Sequence, residues 1–114
     1  MKRLLLAFRN TLDGINWAAR HETAVVQELA ALALAIPLSF YVTNSPWTRV
    51  ALIGAVMMVL VVELLNTAIE KLCDHLAPEL SAQIKVVKDL GSAAVFVAIV
   101  LAAAIWLIVV VHGL

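Results

Sequence analysis

At 114 residues, 64% hydrophobic and only 14% charged, the chain departs from the soluble average of roughly 45–50% and 25% and reads as a single small membrane domain. Its formal net charge is zero; with no charge run or low-complexity tail, nothing argues for a nucleic-acid partner. The lone cysteine, Cys73, excludes an internal disulfide and has no Cys or His at zinc-ligand spacing, so it reads as a packing residue.

Residues 2–20 place Leu4, Leu5, Phe8, Leu12, Ile15 and Ala19 at helical spacing, with Lys2, Arg3, Arg9, Asn10, Asp13, Asn16 and Arg20 mostly between them. This periodicity predicts an amphipathic helix lying on a membrane surface. Arg9 and Asn10 cut the opening apolar run short, so no cleaved secretory signal is expected. Gly14 weakens the middle of the helix, and the chain is expected to turn into the bilayer around residues 18–22. A first span follows over about residues 24–42, AVVQELAALALAIPLSFYV, with Glu28 near its start and Pro37 near its end. Proline is tolerated there as a kink when neighbouring groups satisfy the freed carbonyl.

The segment TNSPWTR at 43–49 supplies a short turn, with Pro46 a good helix opener and Tyr41 and Trp47 at interface depth. A second span, about 48–70, begins VALIGAVMMVLVV and runs into ELLNTAIEKLCD at 63–74. Residues 74–85 read as a polar connection broken by Pro78, with a helical turn restarting near Lys85. The third span, about 91–112, opens with Gly-Ser-Ala-Ala, small residues that let helices approach closely, and closes near Trp106 and His112. Three spans of about 20 residues each, the length that a hydrocarbon core requires, leave little chain for a soluble domain.

Orientation follows from Lys and Arg. Lys2, Arg3, Arg9 and Arg20 precede the first span and Lys71, Lys85 and Lys88 separate the second from the third, against Arg49 alone in the intervening turn. That imbalance places the N-terminus and the longer connection in the cytoplasm.

A carboxylate inside an apolar helix is costly and marks a functional site by default. Glu63, Asn66 and Glu70 stand at i, i+3 and i+7, so a helix aligns them on one stripe, with Asp74 a further turn on. With Glu22 and Glu28 at the same face, such a cluster calls for a cation, and Mg²⁺ suits one or two carboxylates, here Glu22 and Glu70, completed by nucleotide phosphates. Glu63, deepest in the apolar run, is the candidate general base for a lipid hydroxyl. Phosphoryl transfer asks for these parts. No GxxxxGK[ST] or GxGxxG occurs, so neither the P-loop nor the protein-kinase cradle is available.

The string ELLNTAIEKLCD at 63–74, followed by KDLGSAAV at 88–95, resembles the E-x-x-N-[ST]-A-I-E-x-x-x-D signature of the small prokaryotic membrane diacylglycerol kinases. The likeness extends over essentially the whole chain. It implies an all-α membrane protein, a surface helix plus three transmembrane helices assembled as a homotrimer, with sites shared between subunits at the cytoplasmic side of the bacterial inner membrane. It further implies an enzyme that uses Mg-ATP to phosphorylate diacylglycerol. Carried over by position, Glu63 would be the catalytic base and Glu22 and Glu70 the magnesium ligands. Asn66, Lys88, Asp89, Arg3, Asn10, Glu79, Leu80 and Ser81 would serve the nucleotide, and Arg3, Glu63 and Ser92 the lipid. Asn10 stands where the family pattern has a tyrosine, and His21 where it has an asparagine.

Beside these readings stand blander ones. On composition alone Lys88 and Asp89 are a helix-start charge pair at the membrane edge. Glu28 is read first as a buried hydrogen bond or inter-subunit contact and second as catalytic. His21, His75 and His112 share no metal-ligand spacing and take no role. Undecaprenol is an alternative lipid alcohol for the same enzyme type. A small multidrug exporter also has this length and a membrane carboxylate, but would need four spans and a lone glutamate in the first.

Overall fold

The computed structural model describes residues 1–76 and 81–113, and these form four helices: α1 (Lys2–His21), α2 (Thr23–Val42), α3 (Pro46–Leu76) and α4 (Ala82–His112). The three later helices are each long and apolar enough to cross a membrane. α1 instead segregates its polar and apolar residues, as a surface helix does. Glu22 alone breaks α1 from α2: its backbone is extended, at φ −122° and ψ 113°, and its N–H still closes the last turn of α1 on Ala18 O at 2.8 Å. The turn expected over residues 18–22 is therefore a single residue.

α2 runs through Pro37 unbroken, and Ser39 Oγ donates to Ile36 O at 2.7 Å within that last stretch. Arg49 then closes the α2–α3 turn: its Nη2 donates to Thr43 O at 3.0 Å while its guanidinium lies 3.9 Å above the Phe40 ring. The packed interior is narrow and built of small or branched residues, among them Val25 and Ala35 of α2, Leu52 and Val59 of α3, and Val109 of α4. Trp106 fastens α4 to α3 by donating its indole N–H to Leu52 O at 3.0 Å.

Two boundaries differ from those the hydropathy suggests. α3 extends past residue 70 to Leu76, and α4 begins at Ala82, ahead of both the helical restart expected near Lys85 and the span expected from about 91, so the connection between them shortens to residues 77–81. Local chemistry explains the early start. Ser81 Oγ accepts from Ile84 N at 3.1 Å as an N-cap, and Lys85 pairs with Asp89 at 2.6 Å one turn on. Pro78, read as a helix break, lies outside the described residues.

Helices of 31 residues are about 46 Å long, well over the roughly 30 Å of hydrocarbon they cross. Because the apolar run of α3 begins soon after Pro46, its excess length falls at the Leu76 end. The start of α4 and, through a 3.3 Å ion pair between Glu22 and Lys71, the α1–α2 junction lie at that same end. Charged residues of all four helices thus meet at one border of the apolar layer, while Arg49 stands at the other end of α3.

Candidate functional site

Four features of that border form a connected array, from the apolar interior outward. Deepest is Glu63, on α3 and only 8% exposed, with the Glu28 carboxyl of α2 facing it at hydrogen-bonding range. Neither residue takes part in an ion pair among the described residues. One turn outward, Asn66 Nδ2 donates to Glu70 Oε1 at 3.1 Å, which fixes the Glu70 carboxylate by a bond along its own helix. Asn66 Oδ1 is buried without a partner and lies hard against Gly91 of α4, where a Cβ would run into it. The glycine is thus the reason that α4 can pass this close to the polar stripe.

Farther out, Lys71 joins Glu22 and lies 5.6 Å from the Trp17 ring centroid, tying α1 to α3. Trp17 in turn stacks on His21 at 4.4 Å, and His21 Nδ1 is 2.8 Å from Trp17 O, so the histidine organises the end of α1. Outermost, Lys88 bridges α4 to α3 through Asp74 at 2.7 Å. Its neighbour Asp89 turns instead to Lys85. Lys88 and Asp89 therefore face different partners.

The stripe expected from spacing is present: Glu63, Asn66 and Glu70 share a face, and α4 meets it at Gly91. Glu22 comes to the same end through Lys71. Asn10 lines a cleft of about 390 Å³ between α1 and α3, with Thr67 and Lys71 on its other wall. Ser81 and Ser92 are exposed near the start of α4. Arg3 is exposed too, but it lies about 28 Å along α1 from Glu22 at 1.5 Å per residue. Glu79 and Leu80 lie outside the described residues. Lys71 and Gly91 are the contributors that site reasoning from the sequence passed over. Lys71 follows Glu70 directly inside the ELLNTAIEKLCD string, and that adjacency is the signal that pointed to it.

The family described as prokaryotic diacylglycerol kinase matches residues 9–110. The chain belongs to the prokaryotic diacylglycerol kinase family. Diacylglycerol kinase of Escherichia coli (strain K12) is 38% identical over 106 residues, covering 93% of this chain and 87% of the relative. The Pseudomonas aeruginosa diacylglycerol kinase is 37% identical over 93% of this chain and 86% of its own. For that of Haemophilus influenzae the values are 30%, 93% and 90%. Membership makes the chain a membrane-embedded diacylglycerol kinase.

The polar stripe depends on the glycine at its edge. Gly91→Ala forces Asn66 off Glu70, since the methyl and Oδ1 compete for one position. Phosphoryl transfer is expected to drop about tenfold, the size of effect seen when a group that orients an active-site ligand is lost. Parallel circular dichroism should find helix content unchanged; undiminished transfer would mean that the Asn66–Glu70 bond does not matter.

Proposed function

We propose that the chain transfers the γ-phosphoryl group of ATP to the free hydroxyl of 1,2-diacylglycerol, giving phosphatidate and ADP. The reaction takes place at the cytoplasmic face of the bacterial inner membrane, in sites shared between the protomers of a homotrimer. The observation that carries this reading is the buried Glu63 carboxylate one turn inside the fixed Asn66–Glu70 pair. A lipid alcohol keeps its tails in the bilayer and brings its hydroxyl to the depth of Glu63. A nucleotide approaches from water and meets Glu70, Glu22 and Lys88 first.

Glu63 accepts the hydroxyl proton as the oxygen attacks phosphorus, and the bond from the γ-phosphorus to the β,γ-bridging oxygen breaks as ADP leaves. Asn66 orients Glu70 through its amide N–H. Lys88 and Lys71 supply positive charge beside the phosphates once they exchange Asp74 and Glu22 for them. The donors suit a hard divalent ion: Glu22 and Glu70 supply two carboxylates, too few to enclose a metal by themselves. That is the pattern Mg²⁺ takes when substrate phosphates complete its octahedron. Bound there, Mg²⁺ would neutralise charge developing on the β- and γ-phosphate oxygens.

One observation favours completion by another copy: of α4 only Gly91 and Val109 are buried. Exposed large apolar residues on every helix leave ample surface for both lipid and neighbouring protomers.

The test is transfer of labelled γ-phosphate in detergent to diacylglycerol and, separately, to undecaprenol. Label on diacylglycerol supports the proposal. Label on undecaprenol alone moves the substrate to a polyprenol, and label on neither ends the kinase assignment.

A further inference from the structure

Glu28 is an acidic side chain at this border that the proposed reaction leaves without work. It sits on α2, six residues beyond Glu22 and thus about 9 Å deeper into the apolar layer. One side of its carboxyl faces Glu63. Its Oε1 is buried with no hydrogen-bond partner, and the residue lines an apolar groove of about 550 Å³ together with residues such as Ala31, Ala35, Val59 and Trp106. No lysine or arginine among the described residues pairs with either acid.

Two ionised carboxylates cannot face one another in such surroundings without strong repulsion, and an ionised carboxylate has only acceptors. A hydrogen bond between them needs one proton held in common. As a latch between α2 and α3 the pair is poorly chosen: the helices already meet through Val25, Ala35, Leu52 and Val59, and buried polar pairs are often matched or bettered by apolar side chains of similar volume. The pair therefore costs stability in a place where a methionine would suffice.

We infer that Glu28 is a positioning residue for Glu63: through one shared proton it donates a hydrogen bond that fixes the base's carboxyl, leaving a Glu63 lone pair aimed at the lipid hydroxyl. During transfer the lipid's proton passes to Glu63, while the proton on Glu28 stays where it was. The proton gained by Glu63 returns to water after product leaves. This inference rests on the kinase reading for its assay, but its structural half does not.

Three substitutions separate positioning from mere packing. Glu28→Gln keeps a donor in the same place and should retain at least about a third of kcat, whereas Glu28→Met, with no donor, should lose about 10- to 100-fold, the range for groups that orient a catalytic ligand. KM for ATP should stay within about twofold in both, because the nucleotide lies a turn or more outward. Thermal stability of Glu28→Met should equal or exceed wild type, since the buried acid pair is gone. Infrared difference spectra against Glu63→Gln should reveal, in the wild-type protein without substrates, a protonated-carboxyl carbonyl stretch that Glu28→Gln also removes. Undiminished kcat in Glu28→Met, a Gln variant as slow as the Met variant, joint loss of stability and activity in Glu28→Met, or no such infrared band would each overturn the inference. Failure of the kinase reading looks different: wild-type protein labels neither lipid, while the infrared band and the stability order remain.

Discussion

Glu63→Gln is expected to lower kcat by about 10²- to 10⁴-fold, the usual contribution of a positioned general base. The substitution is nearly isosteric, and an amide in place of the carboxyl can still hydrogen-bond to Glu28 across the α2–α3 contact, so folding should survive. What it removes is the acceptor for the lipid proton. Since Glu63 lies a turn inside Asn66 and two turns inside Glu70, KM for ATP should move by less than about threefold, because interactions lost only in the transition state lower kcat without weakening ground-state binding. Steady-state kinetics in mixed micelles, with circular dichroism to check helix content, decides the matter. A Gln variant within a few-fold of wild type would strip Glu63 of the base role, and a large rise in KM for ATP would place the carboxylate on the nucleotide instead.

The membrane architecture could be read from the sequence because its signals are local. A bilayer fixes span length, and three apolar segments of about 20 residues in a chain that is 64% hydrophobic leave little chain for a soluble fold. The surface helix declared itself by period, and the stripe by spacing, because both follow from 3.6 residues per turn. What escaped depends on how one helix is rotated against the next. Nothing in the order of residues says that Lys71 reaches back to Glu22, that Lys88 chooses Asp74 over its neighbour Asp89, or that Glu28 meets Glu63. The start of α4 was placed about one turn late, near Lys85, for another reason: hydropathy marks where a helix enters lipid, not where it begins. Ser81 and the Lys85–Asp89 pair carried the earlier boundary all along, as a cap and an i,i+4 ion pair. Gly91 sits between these cases. Its smallness pointed to close helix approach, but only the structure identifies Asn66 as the group it admits.

Glu70→Ala should reduce transfer about 100-fold or more, and excess Mg²⁺ should recover part of it, since losing one carboxylate from a site completed by phosphate oxygens weakens metal binding without abolishing it. Asn66 then loses its acceptor as well, so the effect should exceed that of Gly91→Ala, which displaces the amide alone. Paired with Glu63→Gln, the variant also reports on how sites are divided among protomers. The two residues lie on one helix seven positions apart, about 10 Å along its axis. If one chain's Glu63 works with another chain's Glu70, neither pure variant has an intact site, yet random equal mixing restores about a quarter of them, by the pairing statistics of a cyclic oligomer. Activity should therefore rise from near zero in each pure sample toward that fraction in the mixture, peaking at equal proportions. Flat activity across all ratios would place Glu63 and Glu70 in the same chain's site, with the neighbouring copy contributing Arg3 and the surface of α1 instead.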